Sequence, residues 1–309
     1  MGEKKADIVI IGGGGAGLTA ALYTSRAKLS TILFEKLTPG GQIALTDMVE
    51  NYPGFPEGIL GPEISQRMED QAKRYGTEVI YEEVKSIAKL PAGDFEILAG
   101  KQNYRAGAMI LTAGASFRML GVPKEKELTG RGVSYCATCD GAFFKEKEIA
   151  VIGGGDSALQ EGIFLTRFGT KVTVIHRRDK LRASPILQER AKQNPKIQFM
   201  WDTVVESIEG DKKVRGMVLK NVKTNQTQNF PVDGVFIFVG HDPNTKFLNG
   251  FVKLDDHGYV VTAPNSLETS VSGVFAAGEI RAGAVKQLVA ACGEGCEAAL
   301  AAQAHLENH

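Results

Sequence analysis

Cysteine is scarce in this sequence, with four in 309 residues. That is too few for a small secreted fold stapled by disulfides, so the cysteines present point to redox chemistry or metal binding instead. Net charge is missing as well: 36 Lys plus Arg balance 36 Asp plus Glu. No global basic field exists to attract nucleic acid or an anionic membrane. Nor does any apolar run reach the roughly 20 residues that span a bilayer. The segment Met1 to Asp7 is polar, unlike a secretory leader, and Ala6 stands where the myristoylation pattern wants Ser or Thr. The five histidines show no metal-ligand spacing, with His257, His305 and His309 reading as surface residues. The expectation is a cytoplasmic protein with no metal site and no nucleic-acid or membrane partner.

What is present is an internal echo. Ile8–Gly17 (IVIIGGGGAG) and Ile149–Ala158 (IAVIGGGDSA) align without a gap, at a constant offset of 141 from Gly12 to Gly153 and from Glu35 to His176. Each copy reads as buried strand, glycine turn, helix and second strand. Gly12 and Gly153 permit the turn, Gly14 and Gly155 let backbone approach a pyrophosphate, and Gly17 or Ala158 lets the helix sit close to the sheet. Ala16, Asp156 and Ser157 lie in the first helical turns, where N–H groups and the helix dipole hold phosphate. At 309 residues, two domains are the natural organisation. The predicted fold is α/β, with two Rossmann-like three-layer nucleotide-binding domains. One domain is discontinuous, 1–116 and 245–309, and the other, at 117–244, is inserted in it.

The two strand tips differ, and the difference separates the ligands. Glu35 suits the ribose diol of FAD or NAD and repels a 2′-phosphate, so the discontinuous domain is expected to hold FAD. At the matching place stand His176, Arg177 and Arg178, with Arg182 beyond, a guanidinium cluster that suits the 2′-phosphate of NADPH. A solvated basic patch shared with Asp179 is the plainer alternative. Later in the chain, Ile110–Ala115 and Gly273–Glu279 read as strands ending in small or acidic residues, with a helix expected from about Lys286 to His305.

Cys136-Ala-Thr-Cys139, followed by Asp140, opens a helical segment. A helix start stabilises a thiolate, and two cysteines with distinct roles suit thiol–disulfide exchange. Asp140 is placed to move the accompanying proton, or else serves only as a cap or surface charge. The competing reading joins Cys136 and Cys139 to Cys292 and Cys296 in a zinc site. Against it, Cys292 and Cys296 lie on one face of a small-residue helix, where cysteine packs as a small hydrophobe.

Taken together, Gly12–Leu18, Gly40–Gln42, Glu50–Gly54, Cys136–Gly141, Gly153–Ala158, His176–Arg178 and Gly240–Thr245 make the chain resemble the bacterial-type, low-molecular-weight thioredoxin reductases along nearly its whole length. The resemblance implies that Cys139 lies against the flavin, that Cys136 attacks the disulfide of thioredoxin or a thioredoxin-like protein, and that Asp140 is the acid–base group. It adds Lys36, Gly41, Gln42, Asn51, Val84, Ala113, Gly114, Gly278, Glu279, Lys286, Gln287 and Leu288 to the FAD site. It also implies a homodimer through the FAD domain and a rotation of the inserted domain during turnover. Three positions depart from the pattern: Gly15 for proline, Glu279 for aspartate and Lys286 for arginine. The first is expected to loosen its turn slightly, and all three to leave FAD binding intact. His241 matches a motif residue but gains no catalytic role. Other redox-protein partners, a ferredoxin-driven enzyme and a non-catalytic sensor remain alternatives, the last two disfavoured by the intact pair and the arginine turn.

Overall fold

The computed structural model describes residues 4–46, 48–264 and 266–308. Met1 and His309, both named above, lie outside them. The chain divides into two units, Met1–Ser116 with Asp242–His309, and Phe117–His241. Residues Asp242 to Thr245 fall in the first unit because Asn244 donates from its backbone to Gly114 O and from Nδ2 to Ala113 O, while Thr245 donates to Gly258 O.

The first unit is built on a seven-stranded sheet. Its path runs Glu78–Ile80, Thr31–Phe34, Lys4–Ile11, Gln102–Leu111, Phe95–Ala99, Val84–Lys89. The last residues of Gln102–Leu111 pair parallel with Val274–Ala276, so the C-terminal segment joins the sheet begun at the N-terminus. Ile8, Val9 and Ile10 are fully buried and read as a continuous apolar run, as a parallel strand covered on both faces requires. Burying each such side chain contributes about 1.5–3 kcal/mol. Helices Gly15–Arg26 and Leu288–Glu307 pack on one face through Ala16, Ala20, Ala298 and Ala302. The last helix begins two residues later than the sequence suggests, because Gln287 is extended (φ −134°, ψ 143°) and serves as its N-cap.

The second unit has a parallel five-stranded sheet in the order Val133–Ser134, Gly234–Phe238, Glu148–Gly153, Lys171–Ile175, Ile197–Met200. A separate antiparallel sheet, Thr203–Gly210, Val214–Asn221 and Thr227–Pro231, has no signature in the glycine-turn pattern. The 141-residue echo holds at the level of register. Ile8 pairs with Thr31 in one unit and Ile149 with Val172 in the other. The helices after the turns start at Gly15 and Asp156.

Candidate functional sites

Both glycine turns have the same construction. Gly12 and Gly153 take positive φ (110° and 150°), and a Cβ at either would lie 2.4 Å from a carbonyl oxygen of the neighbouring strand, Thr112 O or Phe238 O. Gly17 is demanded by contact: its Cβ would stand 1.9 Å from Gly12 O. Ala158 fills the matching place in the second turn. At the helix N-caps, Gly14 and Gly155, a Cβ would meet nothing within 4 Å, so each turn leaves open space at the N–H end of its helix. That space and those donors fit the pyrophosphate of a dinucleotide.

In the first unit, Glu35 accepts the Gly13 N–H on Oε2 (2.8 Å) and the Leu37 N–H on Oε1 (2.9 Å). Lys36 lies 3.9 Å from Glu83, and Val84 is buried. Gly41 follows Gly40, whose N–H donates to Gly13 O, and Gln42 Nε2 donates to Ala115 O. Asn51 Nδ2 donates to Gln287 Oε1 at 2.9 Å, joining two of the expected residues across 236 positions. Ala113 and Gly114 follow Thr112, which donates to Gly12 O. Two of the departures meet each other, since Lys286 Nζ is 2.9 Å from Glu279 Oε1 and 3.2 Å from Tyr259 OH. The third departure lies against the last helix. A Cβ on Gly15 would lie 2.4 Å from Leu288 Cδ1, so the glycine is what lets the buried Leu288 pack there.

Some supporting residues carry no signal in the sequence. Glu294 accepts the Gly278 N–H at 2.7 Å and pairs with Arg281, which fixes the turn before Glu279. Cys292 is buried and donates weakly to Gly15 O. Burial pushes its thiol up, and burial likewise pushes Tyr52 beside it up to about 12, so neither ionises at neutral pH. Among the described residues no cluster of His, Cys, Asp or Glu is gathered to hold a metal ion, and no helix is long and apolar enough to cross a membrane.

In the second unit, Cys136 and Cys139 form a disulfide at the head of the short helix Ala137–Asp140. Cys136 is the N-cap, and its Sγ accepts the Cys139 N–H at 3.2 Å. Ser134, buried beneath, accepts the Cys136 N–H and donates to the Cys136 carbonyl. Tyr135 anchors the same segment by donating to the buried Glu125, which also accepts three backbone N–H groups, from Leu120, Gly121 and Val122. Burial first, then Glu125, raises the Tyr135 phenol well above its ordinary range, so it stays a donor. Cys139 is exposed, while Cys136 and Asp140 are half-buried. A cleft beside them is lined by Arg131, Ser134, Asp140 and Phe143, the last 73% exposed.

The arginine turn is fastened to the second glycine turn, because the N–H groups of Arg182 and Ala183 both donate to Gly154 O. Asp156 accepts the Ser184 N–H at 2.6 Å, which ties the same loop to the helix start, while Ser157 is exposed beside it. His176 is buried, its ring packed where a Cβ of Gly154 would go and its Nε2 3.0 Å from Lys180 O. Arg177, Arg178 and Arg182 are exposed, and no ion pair joins them to a carboxylate among the described residues.

A family model for pyridine nucleotide-disulphide oxidoreductases matches residues 6–295. The chain is 50% identical over 308 residues to a thioredoxin reductase of Bacillus subtilis, covering 99% of this chain and 96% of that one. It is also 50% identical to one of Listeria monocytogenes, covering 99% and 95%. The crystal structure of Lactococcus lactis thioredoxin reductase is similar at a TM-score of 0.96 and 43% identity, covering 98% of this chain and 100% of that one.

Proposed function

Because the chain belongs to the pyridine nucleotide-disulphide oxidoreductases and, within them, to the bacterial-type thioredoxin reductases, we propose that it reduces the disulfide of a thioredoxin or thioredoxin-like protein with electrons from NADPH. Enzymes of this family are flavoproteins that use FAD and NADPH. The first unit is the FAD domain, and the second is the NADPH domain carrying the redox disulfide. When bound, the flavin supplies the two-electron relay between nicotinamide and disulfide.

The observation that carries this reading is the closed Cys136–Cys139 disulfide, lying in the unit whose arginine turn is left unpaired. In the reduced pair, the N–H of Cys139 is set to hold a thiolate on Cys136. Cys136 attacks the partner's disulfide, forming a mixed disulfide and releasing one partner thiolate. Cys139 then attacks Cys136 Sγ, which closes the pair again and frees the second partner thiol. Asp140 takes the proton from Cys139 and returns it to the leaving thiolate. Cys139 is the more exposed sulfur, but Cys136 is the one that receives a backbone N–H, which raises its thiolate population and supports its assignment as the attacking group. The exposed Phe143 and the cleft with Arg131 give a protein partner an apolar and a cationic contact beside Cys136.

Glu35 holds the ribose of FAD, and Arg177, Arg178 and Arg182 hold the 2′-phosphate of NADPH. His176 shapes the turn from beneath. A cytoplasmic location and a homodimer through the first unit complete the proposal, supported by the likeness to thioredoxin reductases. The test is steady-state NADPH oxidation by the purified flavoprotein with oxidised thioredoxin. Turnover that needs both supports the reading, and NADPH oxidation indifferent to thioredoxin overturns it.

A further inference from the structure

The arginine turn carries two carboxylates of its own. Asp179 directly follows Arg178, and the Asp202 N–H donates to Arg178 O at 3.4 Å. Further backbone bonds, Thr203 N–H to His176 O and His176 N–H to Met200 O, knit the two segments together. Carboxylates placed there are internal competitors for the guanidinium groups, since Arg pairs with carboxylate and phosphate through the same bidentate geometry.

They are held elsewhere. Lys223 Nζ lies 2.9 Å from Asp202 Oδ2 and 3.3 Å from Asp179 Oδ2, bridging both acids. The lysine comes from the turn joining Val214–Asn221 to Thr227–Pro231, 44 residues from Asp179. That turn is set independently of the arginines. Asn221 Oδ1 accepts the N–H groups of Lys223 and Thr224, and the Val222 N–H donates to Asp202 O at 2.7 Å. Asp202 is fixed too, in the left-handed region at φ 52° with its side chain 17% exposed. The pairing with Lys223 lowers the Asp179 carboxyl, and its partners, Asp202 first, raise Lys223.

We propose that Lys223 is a specificity-determining residue for NADPH over NADH, acting by holding Asp179 and Asp202 away from Arg177, Arg178 and Arg182. It is a positioning residue and does not itself touch the phosphate. The proposal rests on the assignment of that arginine turn to the 2′-phosphate.

The test uses the full-length FAD-loaded protein with Lys223→Met, which keeps the stem and removes the charge. KM for NADPH is expected to rise about 5- to 10-fold, less than the loss of a whole charge-assisted hydrogen bond, because the arginines are competed for rather than removed. KM for NADH and kcat with either nucleotide should hold. Binding of adenosine 2′-monophosphate should weaken by the same factor, while that of adenosine 5′-monophosphate should not. Adding Asp179→Asn and Asp202→Asn to Lys223→Met should restore NADPH affinity, a rescue that a purely structural lysine would not give. Asn tolerates the left-handed conformation required at 202. Unchanged NADPH affinity, equal weakening of NADPH and NADH, or failure of the rescue would each overturn the proposal. Arg178→Ala separates the two levels of inference. If it weakens NADPH selectively while Lys223→Met does not, only the role of Lys223 fails. If it leaves the preference unchanged, the phosphate assignment fails and the role of Lys223 with it.

Discussion

Glu35 and His176 stand at the same point of two matching turns, 141 residues apart, and treat the glycine turn above them in opposite ways. Glu35 accepts a hydrogen bond from Gly13, so its carboxylate takes part in the turn and keeps an acidic strand tip. His176 packs its ring against Gly154 and bonds Lys180 O, leaving the next two residues, both arginines, to project into solvent. One tip is negative and the other positive, on nearly the same backbone.

The first prediction concerns that positive tip. Arg178→Ala should raise KM for NADPH about 10- to 100-fold, matching the ~1.5–3 kcal/mol of a charge-assisted hydrogen bond, and leave KM for NADH nearly unchanged. Paired steady-state kinetics with the two nucleotides would measure it. Equal effects on both would mean that the guanidinium is not reading the 2′-phosphate.

A second prediction separates the glycine turns. Gly17→Ala puts a methyl group 1.9 Å from Gly12 O and should cost about 1–3 kcal/mol as an overpacked site. The purified variant should lose flavin, measured as the ratio of visible to ultraviolet absorbance. The matching change at the other turn, Ala158→Gly, should leave flavin content intact. Full flavin retention by Gly17→Ala would contradict the close contact.

The roles of the two sulfurs give a third prediction. Cys136→Ser should lower thioredoxin reduction at least about 10³-fold, as expected for loss of a nucleophile, while NADPH still bleaches the flavin. Rapid mixing followed by absorbance would show it. Loss of flavin reduction as well would show that the roles of the two cysteines are wrongly divided.

The glycine turns, the strand tips and the cysteine pair are legible in the sequence because each rests on a few adjacent residues whose spacing sets their geometry. The shared strand register follows from the gapless echo. Residues joined only by folding stay hidden. Glu294 reaches Gly278 from a helix, Cys292 meets Gly15 across 277 positions, and Lys223 arrives from a hairpin outside the βαβ pattern. None of these contacts leaves a periodic trace. Gly15 illustrates the same limit. The sequence shows only a glycine where the family pattern has proline, while the neighbour that fills the space beside it, Leu288, is brought there by the fold.

The buried imidazole carries a pH prediction. Burial first, then the charges of Arg182, Arg178 and Arg177, lower His176 from its ordinary value of 6.5. Between the folded value and 6.5 the unfolded chain binds the extra proton, so stability rises with pH in that window. The contribution is whole above pH 6.5 and is lost as pH falls through the folded value. Urea unfolding from acid to neutral pH should show this slope, and His176→Asn should flatten it. An unchanged slope in the variant would remove His176 as its source.

The most direct test of an NADPH-driven dithiol enzyme is an anaerobic titration of the purified chain, with NADPH and then with NADH, followed by flavin absorbance. With NADPH, the account predicts uptake of more than the two electrons that flavin alone accepts, the excess residing in Cys136 and Cys139. NADH should reach the same end point only at much higher concentration. A chain purified without flavin, or a titration that ends when the flavin alone is reduced, would contradict it.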